Sequence, residues 1–258
     1  MAVKAVMHIM ERDIRYFFRF KWWVAGMVSM NLADLFIMAV VYTRMVNPNL
    51  VVNYFVFFAP GLTITALFAA AFMIGREVNM EIRRDIIHYM LSLPIKRWEL
   101  AFGRVLAGSV RGLIYMSPLL LTTLAITYLY TSVFPSPLEL FTIIFTLFLV
   151  AIGTSGLSIS LALSTTSFEK YITMRGVVYY VLFFCSTVFY PMTLIQSSLP
   201  TPLVLIARYN PLSCGADLSR AFLLGTPPFS FWMLLDLGIF ALFFALVAAF
   251  AYRRAMQK

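Results

Sequence analysis

The chain has 258 residues, of which 62% are hydrophobic and only 12% are charged, with a mean hydropathy of +0.88. Soluble domains carry about twice that share of charged residues, so a soluble globular protein is excluded and an integral membrane protein is predicted. The formal net charge of +9 is not gathered into a basic patch interleaved with exposed aromatics, so nucleic-acid binding is not indicated.

The N-terminal residues 1–23 have the pattern of an amphipathic helix. Basic side chains lie mostly opposite apolar and aromatic ones, and the segment runs directly into an apolar stretch. Such a helix lies in the membrane interface, with its basic face toward the lipid headgroups. We predict an interfacial helix here, with an ordinary soluble amphipathic helix as the alternative. The basic residues are Lys4, His8, Arg12, Arg15 and Arg19.

Six apolar stretches follow, each close to the roughly 20 residues that cross a bilayer as a helix. One of them contains Pro118, which predicts a kink or a tilt. The chain is therefore predicted to be a single all-α transmembrane domain, residues 1–258, with six transmembrane helices. The stretches are 24–42, 54–75, 102–130, 141–163, 175–195 and 231–252.

Lysine and arginine are distributed unevenly between the two ends of these stretches. Sixteen of the 20 lie in the N-terminus, the second loop, the fourth loop or the C-terminal tail. Because cytoplasmic segments carry the excess of basic residues, both termini and the second loop are predicted to be cytoplasmic, in a multi-pass protein of the cell membrane. Arg111 lies inside a stretch, and the opposite side holds Arg44, Arg208 and Arg220.

The second loop, residues 76–101, is dense in charge and periodic. Glu77, Glu81 and Asp85 recur every four residues beside an apolar stripe, which predicts one amphipathic helix. Leu93 precedes Pro94, where helix is disfavoured, so a turn and a second short helix are expected. We interpret the loop as a docking element for a partner, and the alternative is a solvated connection between two spans.

The outer segment 196–229 is too short for a seventh span with its loops and too apolar for a plain loop. Residues 203–209 and 216–224 have the composition of short helices. We predict two short re-entrant helices that enter the outer leaflet in part. Non-helical backbone between them is tolerable only where it is buried in protein or lines a wet cavity.

Several short motifs follow one another in an order that resembles the permease subunits of type-2 ABC exporters. They are Ala59-Pro60-Gly61, the run LSLPIKRWEL at 91–100, Arg208-Tyr209-Asn210-Pro211-Leu212, and then Asp217 and Arg220. The resemblance implies that residues 76–101 hold a coupling helix on a separate ATP-binding subunit, and that two permease copies form the translocation pathway. ATP and Mg²⁺ would then be bound by that partner.

The resemblance also assigns contact residues to the loop. The side chains that would meet the ATP-binding subunit are Glu81, Arg83, Arg84, Asp85, His88, Lys96 and Arg97. Asp85 departs from the family pattern, in which a glycine is usual nine residues before the loop proline.

Three polar residues, Asn31, Asp34 and Arg111, lie within apolar stretches. Polar and ionisable groups at this depth are costly and are often functional. Asn31 and Asp34 share one helix face, and Asp34 and Arg111 lie at similar depths. Two interpretations are open: these residues line the translocation path, or they make structural contacts such as an ion pair between Asp34 and Arg111.

No pattern in the chain indicates a catalytic, metal or cofactor site. The two cysteines and two histidines have no ligand spacing, and no phosphate-binding loop is present. Gly153-Thr154-Ser155-Gly156 resembles the motif of rhomboid proteases, which need a histidine in their sixth span, and 231–252 has none. Close helix packing explains these small residues better.

The sequence therefore predicts a non-enzymatic export permease. A stand-alone secondary transporter is the first alternative, although the two halves show no inverted repeat, and a membrane enzyme is the second. The transported substrate is not specified, because the family handles drugs, lipid-linked glycans, lipids and small ions.

Overall fold

The computed structural model of the protein describes residues 2–45, 53–86, 89–90, 95–165, 167–225 and 227–255. Within these ranges the secondary structure is helical and contains no strand, which confirms the all-α prediction. The described helices are α1 (Ala2–Phe18), α2 (Lys21–Met45), α3 (Tyr54–Phe72), α4 (Ile74–Arg83), α5 (Arg97–Thr131), α6 (Pro137–Ser164), α7 (Phe168–Phe184), α8 (Met192–Ser198), α9 (Thr201–Tyr209), α10 (Pro211–Leu224) and α11 (Phe231–Ala255).

Four helices in the described part of the chain are long and apolar enough to cross a membrane, by length and composition. They are Tyr54–Arg83, which joins α3 and α4, Arg97–Thr131, Pro137–Ser164 and Phe231–Arg254. These match the second, third, fourth and sixth predicted stretches, and the first stretch lies within α2. The predicted count of six spans is not confirmed.

The fifth predicted stretch, 175–195, is not one helix. The helix α7 ends at Phe184, and Cys185 leaves the helical region with φ −85° and ψ 51°. Bends and turns follow to residue 191, and α8 begins at Met192. The outer segment 196–229 then holds the end of α8 and two short helices, α9 and α10, where two were predicted. The helix α10 begins at Pro211 rather than at 216.

Local sequence explains where several helices begin and end. Ser136 and Ser167 accept hydrogen bonds from the backbone N–H groups of Glu139 and Lys170, which caps the N-termini of α6 and α7. The C-terminus of α10 lies at Gly225, whose φ of 68° suits a residue without a Cβ. These boundaries are therefore set by short-range chemistry.

The centre of the bundle is α3, which is buried along most of its length and packs on α2, α5, α6 and α10. The helices α6 and α11 pack tightly on each other. A Cβ at Gly153 would overlap the ring of Phe240, and one at Gly156 would overlap the backbone of Phe244. This contact confirms that the small residues of α6 serve close helix packing.

A second apolar cluster lies at the predicted cytoplasmic end and joins α1, α4, α5, α6 and α11. The helix α1 lies along α5, with Ile9 and Phe17 buried against the bundle. The predicted helix at 1–23 is thus confirmed as a helix that ends at Phe18, but its apolar side packs on protein. Its basic residues Lys4 and Arg15 stay exposed.

Candidate functional site

The predicted docking loop forms an exposed surface at the ends of α4 and α5. Arg83, Arg84 and Asp85 are exposed where α4 ends, and Lys96 and Arg97 are exposed where α5 begins. The helix α5 starts here because the Glu99 carboxylate accepts a hydrogen bond of 3.0 Å from the backbone N–H of Lys96. His88 and Pro94 lie outside the described residues.

Asp85 ends the helix that the four-residue spacing predicted to continue. The helix α4 stops at Arg83, and Asp85 has a φ of 55°, in the left-handed region. Only glycine enters this region at no steric cost, although aspartate tolerates it better than most residues. The prediction of one continuous helix through Asp85 is wrong, and the backbone conformation at Asp85 is one that glycine adopts more easily.

Exposed apolar side chains border these charges. Ile86, Tyr89 and Trp98 are exposed next to the arginines in the chain, whereas Met90 is buried and contacts Arg12 and Arg104. A surface that combines aromatic residues with arginine is typical of a protein interface. The residues of the predicted apolar stripe therefore do not share one environment. Met90 packs into the bundle, whereas Ile86 is exposed.

Glu81 belongs to an ion network built on the buried pair Asp13 and Arg104, which we call the buried ion network, and does not lie free on this surface. Its carboxylate bonds the guanidinium of Arg104, which is 1% exposed, and also contacts Arg12 at 3.2 Å. Asp13 completes the network at 3.2 Å from Arg104 and 2.7 Å from Arg12. Two acids and two arginines thus join α1, α4 and α5 with balanced charge, which a buried network needs.

Sequence reasoning did not identify this network, although a signal for it was present. Asp13 lies four residues after Ile9 and four before Phe17, on the apolar side of α1. A carboxylate in the middle of an apolar stripe requires a buried cationic partner. Arg104 is that partner.

Arg111 is paired with Glu77, so the predicted ion pair between Asp34 and Arg111 is wrong. The guanidinium of Arg111 donates to Glu77 at 2.6 Å and to the Ala70 carbonyl at 3.0 Å, and it lies 4.5 Å from the ring centroid of Phe17. Glu77 is nearer because α4 continues the direction of α3 beside α5. Asp34 is half-buried, and no described cation lies within 4.0 Å of its carboxylate.

Asn31 does make a contact between helices. Its amide donates to the hydroxyl of Tyr115 at 2.5 Å and to the Met27 carbonyl at 2.9 Å. This bond joins α2 to α5, so the packing contact predicted as one of two roles is present. A role of Asn31 or Asp34 in the translocation path stays a prediction.

A second polar site lies where α7 is interrupted. The buried guanidinium of Arg220 donates to the carbonyls of Phe57, Thr187 and Val188 at 2.8–3.0 Å, and to Asp217 at 2.8 Å. The amide of Asn210 donates to the carbonyls of Leu182 and Cys185 at 2.7 and 2.6 Å. The bonds to Leu182, Cys185, Thr187 and Val188 satisfy carbonyls at and after the end of α7, where helical partners are missing. The bond to Phe57 joins α10 to α3.

This arrangement gives the short motif around 208–220 a physical role. Asn210 also caps α10, accepting from the backbone N–H of Leu212 at 2.9 Å. Asp217 balances the charge of Arg220 one turn away on the same helix. The helix α10 therefore carries the side chains that stabilise the broken end of α7. We call Asn210, Asp217 and Arg220 the outer polar lock.

The model of the ABC-2 type transporter family matches residues 4–224. The chain belongs to the ABC-2 type transporter family. The matched region runs from α1 through α10 and so includes the buried ion network, the charged surface and the outer polar lock. A comparison with curated proteins finds no match.

Membership of the ABC-2 type transporter family identifies the chain as a transmembrane component of an ABC transporter. Such a component takes part in transport and is not itself catalytic, which agrees with the rejection of a protease on sequence grounds. Ser155 lies at the contact of α6 with Gly108 on α5. The described residues contain no group of three or more potential metal ligands.

Proposed function

We propose that the chain is the membrane-spanning subunit of an ATP-driven exporter, in which two permease copies form the pathway and two separate subunits bind ATP and Mg²⁺. The observation that carries this proposal is the exposed surface of Arg83, Arg84, Asp85, Lys96 and Arg97. It combines charge with the exposed aromatic residue Trp98 at the end of an otherwise apolar bundle.

The buried ion network supports transmission of force from that surface. Arg84 and Asp85 lie three and four residues after Glu81, which bonds Arg104 on the span α5 and contacts Arg12 on α1. A push on the end of α4 would therefore move α1 and α5 with it. Coupling of this kind requires two global states with different contacts at the docking surface.

The apolar faces of α2 and α7 support the two-copy arrangement. Phe36 and Ile37 on α2, and Tyr180 and Phe184 on α7, are exposed on the single chain. Membrane lipid and a second permease are both suitable neighbours for such faces. The mixed composition of the loop surface differs from them, and suits a partner in water.

The test is to purify the chain from its native membrane and to assay the copurified ATPase. With the complex reconstituted in vesicles, Arg84→Glu is expected to lower transport-coupled ATP hydrolysis about tenfold, the effect of roughly 1.4 kcal/mol at a docking contact. Arg19→Glu is the control, since Arg19 is an exposed cation that lies outside the docking surface.

Three results would count against the proposal. Unchanged ATP hydrolysis in Arg84→Glu, with assembly intact, would remove the docking surface from the coupling route. An equal loss of ATP hydrolysis in Arg19→Glu would show that the Arg84→Glu effect comes from the change in net charge and not from a docking contact. Transport by the purified chain alone, driven by an ion gradient, would identify a secondary transporter.

A further inference from the structure

A cavity of about 660 Å³ lies next to the outer polar lock and takes no part in the proposed coupling. It is bounded by the start of α3, the segment from Pro191 to Gln196, the ends of α9 and α10, and the start of α11. This volume is within the range of sites that bind small ligands. Most of the wall is apolar, and it includes Val56, Phe57, Met192, Leu224 and Met233.

Of the two charged residues that line the cavity, Asp217 has an ion-pair partner and Arg208 has no described one. Asp217 lines it, but its carboxylate is bonded to Arg220 at 2.8 Å, so its charge is already balanced. Arg208 also lines it, and no described carboxylate lies within 4.0 Å of its guanidinium. The cavity thus offers one uncompensated cation beside an apolar wall.

An exposed arginine such as Arg208 is unusual on the predicted outer side of the protein. It is one of three basic residues on the predicted outer side, where lysine and arginine are rare. Arg220 is fully buried and satisfied, whereas Arg208 is exposed at the last turn of α9. Thr193 and Gln196 add neutral hydrogen-bonding groups to the lining.

We propose that this cavity binds an anionic phospholipid, with its phosphate on Arg208 and an acyl chain along the apolar wall. Arginine recognises phosphate through two parallel N–H donors. A free phosphate would leave the apolar wall exposed to water, and a neutral lipid would leave Arg208 without a counter-ion. The proposal does not depend on ATP-driven export, because it concerns a site within one chain.

The experiment measures equilibrium binding to the full-length protein, purified in detergent and depleted of lipid. The probes are lysophosphatidate, the monoacylglycerol with the same acyl chain, and glycerol 3-phosphate. Wild type is expected to bind lysophosphatidate at least about tenfold more tightly than either of the others, a difference of about 1.4 kcal/mol.

Two variants separate the contributions of charge and of apolar volume. R208Q removes the charge at similar size, and is expected to bind lysophosphatidate and monoacylglycerol equally. T193W fills the cavity from an exposed position, so it leaves the core intact, and is expected to bind neither acyl ligand. R44Q removes the other exposed cation of the outer side and is expected to behave as wild type.

The outcomes that overturn the proposal are distinct. Equal binding of lysophosphatidate and monoacylglycerol by wild type would exclude recognition of phosphate. Equally tight binding of glycerol 3-phosphate would assign a simple anion site. An R44Q variant that loses the preference as R208Q does would indicate surface electrostatics, and a T193W variant that binds normally would place the lipid elsewhere.

Discussion

At the scale of single residues, three arginines are buried in the interior of this protein and paired with carboxylates. Arg104, Arg111 and Arg220 are each at most 1% exposed. Each one has a carboxylate partner within 3.2 Å, and Arg111 and Arg220 also bond backbone carbonyls. A buried charge is tolerated only when it is paired and hydrogen-bonded in this way. Removal of one partner is therefore more damaging than removal of a surface charge.

Arg220→Gln tests the outer polar lock. The variant leaves Asp217 uncompensated and the carbonyls of Thr187 and Val188 without their donor, so a loss of about 3–5 kcal/mol in the free energy of unfolding is expected. The measurement is thermal unfolding of the purified protein in detergent. Arg208→Gln is the control, an exposed arginine of the same outer segment, and its unfolding midpoint is expected to stay close to wild type. Equal midpoints for the two variants would show that Arg220 does not stabilise the interruption of α7.

Asp85→Gly tests the left-handed conformation at the end of α4. Glycine adopts a φ of 55° without steric cost, so the variant is expected to be more stable by up to about 1 kcal/mol. Arg84→Gly is the comparison, because Arg84 has a φ of −96° and gains nothing from glycine. Unfolding midpoints of the two variants provide the measurement. A larger gain for Arg84→Gly would contradict the assignment of strain to Asp85.

At the scale of elements, α1 is part of the bundle because of its buried acid. Ile9 and Phe17 pack on the bundle. Asp13 between them is 4% exposed, is hydrogen-bonded to Arg12 and forms an ion pair with Arg104 at 3.2 Å. Gly103 permits this approach, since a Cβ there would meet Ile9 at 2.9 Å. The helix thus has two faces with different roles: the exposed basic face meets solvent or lipid, and the other anchors α1 to α5.

A double-mutant cycle measures the coupling free energy between Asp13 on α1 and Arg104 on α5. Asp13→Asn and Arg104→Gln are each expected to cost about 3 kcal/mol, because each leaves one charge in excess in a network of two acids and two arginines. The double variant is expected to lose at least about 1 kcal/mol less than the sum of the two. The exposed pair Glu11 and Arg15 is the control, with an expected coupling of about 0.5 kcal/mol or less. Strict additivity at Asp13 and Arg104 would contradict the contact.

At the scale of the whole molecule, charge separates the two ends of the bundle. The exposed arginines and lysines of α1, α4 and α5 lie at one end with the buried ion network. The outer polar lock lies at the other, where the interruption of α7 meets α10. The resulting expectation is that the network faces the cytoplasm and the lock faces outward.

Labelling with an impermeant thiol reagent tests this orientation. Ser198→Cys is expected to react from outside and Arg84→Cys only after the membrane is opened, since both positions are exposed. Burial raises the pKa of the native Cys214 thiol to about 12, so little thiolate forms at neutral pH and Cys214 is expected to stay unreactive. Cys185 is replaced by serine in all variants. Reaction of Arg84→Cys from outside would invert the topology and remove the basis for the docking surface.

The helices were predictable because their signals are local. Apolar length, caps such as Ser136 and Ser167, and the amphipathic period of residues 1–23 depend on residues within a few turns of one another. The family resemblance likewise followed from short motifs, and the family match confirms it. The exposure of Arg83, Arg84, Lys96 and Arg97 was also predictable, because charged residues between two apolar stretches mostly lie at the surface. Glu81 and Arg104 come from the same run of charge but pair with each other in the ion network, which the run alone did not indicate.

What only the tertiary structure decided is the partner of each buried polar group. Arg111 bonds Glu77 rather than Asp34, and Arg104 pairs with Asp13 from 91 positions earlier in the chain. Beyond the end of α7 at Phe184, Asn210 and Arg220 supply donors to free backbone carbonyls. The sequence determined that such charges need partners, since an unpaired charge in an apolar interior is too costly. Which partner each charge finds depends on how the helices pack. The separation of two residues along the chain does not give the distance between them in the folded protein.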